Sequence, residues 1–331
     1  MRSHLNRFRF NQGVESGARG LRERGLAMSF HLRLKAAVSG ACLAIVCLTA
    51  APSLAQDRAA DLREQVGAYA KPSNAERMDV LLGQLRAEGF SPTVETFEGG
   101  GRAGPMQGSN VIVTLGEGEK EILLTAHYDA VKLRDGTMAD GLVDNAGSVV
   151  ALIEAAKILR EAPLSHRIRI IFFDQEELGL IGAKKWIEAH SVANVAAVVN
   201  SDVAAYGDTM MYGQNNGAQS AFVTRAVQEL CAERAQQCVG FPEYPPSDDR
   251  AFSAAGAPVV SLGFQDEVGA HQMWLAFNGG ETNGLAEGFV PQVFRVIHSK
   301  DDAIAAVEGH TIDLAGRTYA ALIQKLDAQL R

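Results

Sequence analysis

Cysteine is scarce in this chain, with four in 331 residues. Two of them, Cys42 and Cys47, sit in one apolar N-terminal stretch, after residues that fit a lipid-attachment site poorly. Only Cys231 and Cys238 remain, and an oxidising compartment would let them pair. A bridge across so short a loop would tie down a local turn rather than hold a fold together. The alternative is two free buried thiols. After Gln56 there is no run of proline, glycine and serine long enough to act as a linker, and no internal repeat. One domain over residues 56–331 is therefore expected. Positive charge is lacking as well. Residues 1–35 hold eight Lys/Arg against two Asp/Glu, and taking that excess of six from the overall −8 leaves the remainder at −14. Such acidity argues against nucleic acid as a partner and gives no attraction to anionic membranes. It is compatible with cationic or amine-bearing substrates.

One long uncharged stretch is present. Residues 36–55 follow Arg33 and Lys35 and end in Pro52 and Ser53-Leu54-Ala55, ahead of Gln56. A basic start, an apolar middle and a small-residue end are the parts of a secretory signal. An uncleaved anchor is the competing reading, since about twenty apolar residues can span a bilayer. The modest hydrophobicity and the small-residue end favour cleavage. Residues 1–55 are thus expected to be an N-terminal extension and signal peptide, with Met28 as an alternative start. The mature protein is expected to be periplasmic or secreted, without stable membrane association. A hydrophobic content of 47% with 21% charged residues suits a soluble domain with a real core.

Periodicity predicts helices over residues 57–69, 74–88, 145–160, 178–190, 218–233 and 312–329. Strands are expected over residues 111–115, 121–126, 167–173, 195–202 and 258–264. This alternation implies an α/β fold, with a mainly parallel central sheet and helices on both faces. The short link at 116–120 suggests an antiparallel hairpin between its two flanking strands, which makes the sheet mixed. Residues 269–293 carry Gly279-Gly280 and Asn283-Gly284 with little periodicity, and read as a long irregular loop.

Five residues with metal-binding side chains stand at or near the ends of these elements: His127, Asp144, Glu177, Asp202 and His298. His127, Asp202 and His298 close the apolar runs Ile122–Ala126, Ala196–Ser201 and Phe294–Ile297, all read as strand-like. Glu177 follows a fourth run, Ile168–Phe173. Ligands of open α/β sheets bind beyond the carboxyl ends of strands, so distant residues can converge there. Two imidazoles and three carboxylates form a fitting donor set for zinc. Asp144 precedes a helix, where an N-cap is its ordinary role. A carboxylate can also bridge two cations about 3.5–4 Å apart. With Asp144 bridging, His127 and Asp202 complete one site and Glu177 and His298 the other. Each metal would keep an open position for a shared water or hydroxide, the mark of a catalytic rather than a structural zinc.

Glu176 and Glu177 are neighbours, so one can bind metal while the other accepts a proton from water. In isolation the pair would read as a solvated turn. Asp129 lies two residues beyond His127, on the same side of an extended segment, and can orient the imidazole from behind. A turn residue is the plainer reading. His166 and His190 are expected to face solvent, His271 to lie in the irregular loop, and His310 at the entry to the last helix.

At these residues the chain resembles the co-catalytic zinc aminopeptidase family that includes bacterial leucyl aminopeptidases and glutamate carboxypeptidases. The matching pieces are Ala126-His127-Tyr128-Asp129, Gly141–Gly147, Phe173–Gly182, Asn200-Ser201-Asp202 and His298–Asp302. They cover about residues 110–305 in the family's order. The resemblance implies a zinc exopeptidase fold with two zinc ions and a peptide substrate, and hydrolysis by a metal-bridging hydroxide. It makes Glu176 the general base and Asp129 the carboxylate behind the imidazole. Ser247-Asp248-Asp249 departs from the family's Ser-Asp-His, which alters substrate contacts there but none of the five ligands. Tyr244 is a candidate for stabilising the oxyanion.

Two other functions remain open. Glutaminyl cyclase uses a related fold with a single zinc and is disfavoured by the full set of five ligands. A non-catalytic binding module would be expected to have lost ligands, and none is missing. The preferred terminal residue, the choice between amino- and carboxy-terminal substrates, and the oligomeric state are not legible.

Overall fold

The computed structural model describes residues 55–331. Residues 1–54, and with them nearly all of the expected extension and signal peptide, lie outside that description. The chain begins with α1 (residues 55–67) and α2 (Asn74–Ala87). Ser73 caps α2, its hydroxyl accepting from the Glu76 amide at 3.3 Å. This satisfies one of the unpaired N–H groups of the first turn.

Eight strands follow: β1 (Thr93–Gly99), β2 (Met106–Leu115), β3 (Glu121–His127), β4 (Arg167–Phe173), β5 (Val195–Ala204), β6 (Thr209–Gly213), β7 (Cys238–Phe241) and β8 (Val259–Gln265). Between and after them run α3 (Gly147–Arg160), α4 (Ile181–His190), α5 (Ala221–Glu233), α6 (Asp249–Ala254), α7 (Glu267–Asn278), α8 (Val293–Val296) and α9 (Gly309–Gln329). The strands make one mixed sheet in the order β1-β2-β4-β3-β5-β8-β6-β7. The central run β4-β3-β5-β8 is parallel throughout.

Central parallel strands are covered on both faces, which is why they are apolar along their whole length. All seven residues of β3 are buried. Their alternation divides them between two cores. Ile122, Leu124 and Ala126 share one with Val150 of α3 and Ile323 of α9, while Leu123 shares the other with Trp186 of α4 and Phe252 of α6. A third, smaller cluster joins Met211, Phe241 and Tyr244 to Met273 of α7 and Val293 of α8. Cys231 and Cys238 form a disulfide that ties the end of α5 to β7.

The mixed α/β architecture is as expected, but several local readings need correction. The strands flanking residues 116–120 are not a hairpin: β4 lies between β2 and β3, pairing antiparallel with the first and parallel with the second. The run before His298 is not a strand. It forms the single turn α8, and Ile297 then extends into His298. The first part of the supposed irregular loop is α7, capped by Asp266 through the Gly269 amide at 2.9 Å. His271 therefore lies on a helix. His166 does not face solvent: it is buried, with Nδ1 3.0 Å from Asp327. His190 is exposed, as expected, with Nε2 2.8 Å from Glu95. No helix among the described residues is long and apolar enough to cross a membrane.

Candidate metal centre

Three neighbouring parallel strands, β4, β3 and β5, deliver the core of the site. His127 is the last residue of β3, Glu176 and Glu177 follow β4, and Asp202 lies near the end of β5. Asp144 comes from the turn before α3, and His298 from the segment after α8. The structure brings all five sequence-predicted ligands together in two groups that share one residue: His127, Asp144 and Asp202, and Asp144, Glu177 and His298. Asp144 divides its two oxygens between the imidazoles. Oδ1 is 3.1 Å from His127 Nε2 and Oδ2 is 3.2 Å from His298 Nε2. The remaining carboxylates close each group, Asp202 Oδ1 at 3.7 Å from His127 Nε2 and Glu177 Oε2 at 3.1 Å from His298 Nε2.

Asp129 sits behind this layer. Its Oδ1 is 3.3 Å from His127 Nδ1, near enough for charge but too far off line for a hydrogen bond. Its two oxygens also accept from the amides of Glu176 and Glu177, at 3.1 and 3.2 Å. One buried carboxylate thus orients an imidazole and the Glu-Glu turn together.

Other supports were missed in the sequence. Asp302 takes the Val143 and Asp144 amides at 2.6 and 3.3 Å, fixing the turn that carries Asp144. Asn145 bonds Ser201 O and Val203 N at 3.0 Å each, clamping β5 on both sides of Asp202. Arg77 of α2 is fully buried and donates only to carbonyls. It reaches those of Tyr69, Tyr128, Asp140 and Gly141, and so holds the chain between His127 and Asp144. Asp248 is buried too, and neither of its oxygens has a hydrogen-bond partner. The spacing of Asp302 four residues after His298 could have flagged it, whereas nothing local marks Arg77.

Backbone conformation is unusual where ligands are presented. Gln175, Val203 and His298 have φ of 60°, 60° and 58°. A left-handed β-branched residue such as Val203 is sterically costly, and such residues cluster where a site constrains the chain.

The electrostatics show what this group of side chains requires. Burial pushes Glu176 up to about 10 and Glu177 up to about 7, with the neighbouring acids adding to both. Burial opposes a charged His127, yet Asp129, Asp144 and Asp202 outweigh it and raise the imidazole well above its usual range. Bonds to Asp144 and Glu177 lift His298 to about 10. Asp144 is itself held below the carboxylate range: burial works against this, and the two imidazoles prevail. The cluster as protein groups alone retains protons to offset crowded negative charge. A divalent cation would do the same work. The donor set suits zinc, and Glu177 Oε1 and Asp202 Oδ1 are buried without hydrogen-bond partners. The residues present fit a metal.

Beside the ligands opens a cavity of about 320 Å³. Met211, Met273, Phe277, Val293 and Phe294 give it an apolar wall, and Tyr244 and Gln265 are its polar members away from the ligands. Tyr244 packs edge-on against Phe241 at 5.4 Å. Its hydroxyl lies beside Gly263, where an added Cβ would meet it at 2.8 Å.

Comparison with known proteins agrees with this arrangement. Leupeptin-inactivating enzyme 1 of Streptomyces exfoliatus is 26% identical over 265 residues, covering 76% of this chain and 55% of that protein. The chain thus spans about half the length of this curated relative. Among solved structures, a Zn-dependent exopeptidase from Parabacteroides distasonis superposes with a TM-score of 0.62 at 19% identity, covering 81% of this chain and 97% of that one. Porphyromonas gingivalis glutaminyl cyclase also gives 0.62, at 20% identity and with 82% and 98% covered. At such identities the likeness is one of fold. Residues 110–323 match Peptidase family M28, nearly the whole span from β2 to the last turns of α9. The chain belongs to peptidase family M28.

Proposed function

We propose that this protein is a zinc-dependent aminopeptidase that hydrolyses the N-terminal residues of peptides at a two-metal centre. The observation that carries this reading is Asp144, whose two oxygens serve one imidazole each. His127, Asp144 and Asp202 would hold one zinc, and Asp144, Glu177 and His298 the other. Bound there, zinc supplies Lewis acidity toward a carbonyl and lowers the pKa of water to about 7. Glu176 borders the same cavity without belonging to either ligand group; burial favours its protonated form in the metal-free protein, and the positive charge of bound ions would favour the carboxylate. Glu176 is the group placed to accept a proton from water and return it to the leaving amine. Asp129 positions His127 and the Glu176 backbone, and Tyr244 can donate to a carbonyl oxygen that gains charge.

The apolar wall accepts the first side chain. The N-terminal segment of the sequence and the Cys231–Cys238 bridge both favour an exported enzyme, periplasmic or secreted.

The test is turnover of a panel of amino-acid nitroanilides by the protein from Gln56, with zinc assayed on the same sample. Cleavage with two zinc ions per chain, lost on chelation and restored by zinc, is expected. Cyclisation of an N-terminal glutamine without amide hydrolysis would replace the reading by a cyclase, and absence of zinc would remove it.

A further inference from the structure

The turn that carries Glu176 and Glu177 is held from one side by Asp129, which accepts from both amides. Gln175 holds it from another. This residue is buried and left-handed, with φ of 60°. Its Oε1 accepts from the Gly100 amide at 2.7 Å, where the chain leaves β1. The side-chain amide fits there because two neighbours lack side chains. A Cβ added at Gly99 would run into Oε1, and one at Gly108 of β2 would stand 2.7 Å from Nε2. Turning the amide over would set its NH2 against the Gly100 N–H, so this bond fixes its orientation.

The arrangement is an unfavourable way to fill the space. Nε2 is buried with no partner, and an unpaired donor destabilises a fold. A left-handed backbone is also unfavourable for any residue with a Cβ. Glycine would adopt that φ without strain, and methionine would fill the volume without an orphaned donor. Neither offers a strong acceptor to the Gly100 amide. Asn110 of β2 secures the ends of the turn, bonding Asp174 N at 3.2 Å and Gly182 O at 2.9 Å. Between those ends, packing gives less support. Asp174 and Gln175 line a second cavity, of about 930 Å³, while Glu176 and Glu177 line the one beside the ligands. Glu177 is also fixed at its tip by His298, at 3.1 Å. Glu176 belongs to neither ligand group, so its direction depends most on the backbone beneath it.

We propose that Gln175 is a positioning residue that holds Glu176 in line for proton transfer, through its bond to the Gly100 amide. This rests on the reading of Glu176 as the base and deepens it. A small displacement of a reacting group is enough to slow a reaction while leaving substrate binding intact.

A double-mutant cycle with zinc-loaded enzyme and leucine nitroanilide tests the inference. In the otherwise wild-type protein, Gln175→Met is expected to lower kcat about tenfold, with KM within about twofold and zinc content unchanged. In the Glu176→Gln background no base is left to position, and the same substitution should change kcat by less than about twofold. A residue that serves only the fold would lower kcat by the same factor in both backgrounds, and that result would overturn the proposal. Loss of zinc from Gln175→Met would overturn it too, since the tie would then serve Glu177. Gly99→Ala crowds Oε1 from the loop and is expected to repeat the loss; it carries the same cycle should Gln175→Met not fold. Full kcat in both variants would remove the role of the tie and leave the peptidase standing. A wild type that cleaves no nitroanilide would sink the aminopeptidase reading, and this inference with it.

Discussion

Asp129 and Glu176 show how much one residue can control in this site. Asp129 touches His127 and receives both amides of the Glu-Glu turn, so its substitution should disturb position rather than remove a reactant. Glu176 is the reverse, a group free of both ligand sets. Glu176→Gln is expected to keep its zinc and lose about 10²–10⁴ in kcat, measured by metal analysis beside steady-state rates. Substantial activity in that variant would reassign the base. Tyr244→Phe should lower kcat by about tenfold to a hundredfold with little change in zinc content; an unchanged kcat would remove Tyr244 from the mechanism. The five candidate ligands and Asp129 were legible from metal-binding residue types at the ends of β3 and β5 and after β4, although Asp144 and His298 stand beside helices rather than at strand ends. His166 misled for a physical reason: Asp327, which holds it, is 161 residues away.

Elements with a strong period, or apolar throughout, were read well, and those with weak patterns were not. β1 (Thr93–Gly99) is an edge strand with no buried residue, so it offers no buried apolar face to detect. α7 buries only Gly269, Ala270 and Met273, too narrow a stripe to stand out beside the glycines that follow. α8 is a single turn with the composition of a strand. These two poorly legible helices carry the rim of the cavity, where Phe277 and Phe294 lie 5.8 Å apart, centroid to centroid. Phe277→Ala is expected to raise KM for large apolar first residues by about three- to tenfold, leaving small ones nearly unaffected. Equal effects on alanine and leucine substrates would show that the rim does not meet the side chain. The disulfide acts at the same scale. Replacing Cys231 and Cys238 with serine should cost about 2 kcal/mol, in line with the short loop it closes, and denaturant unfolding with and without reductant would measure it.

For the whole molecule, the consequence of so many crowded acids is a stability that depends on metal and pH together. Glu176 and Glu177 are raised to about 10 and about 7, and His298 to about 10. In each case the folded state without metal binds more protons than the unfolded chain. The stabilisation from these groups is full below the unfolded pKa values, near 4 for the carboxyls and 6.5 for the imidazole. It drains away as pH rises through the folded values. Asp144 runs the opposite way, and its contribution is lost only in acid. The chelated protein should therefore melt at progressively lower temperature from pH 5 toward pH 9, and zinc should flatten that slope by replacing the protons. A chelated protein whose melting point rises across that range would contradict the electrostatic account.

Arg77 bears on where this molecule can be cut. The family match begins at residue 110, yet the guanidinium that secures the carbonyls of Tyr128, Asp140 and Gly141 comes from α2, more than thirty residues earlier. A fragment trimmed to the matched span would keep every ligand and lose the bracket that sets two of them in register. The matched span and the set of residues that holds the site in register are thus of different lengths. Dissection or grafting of this chain has to carry α2 along with the chemistry.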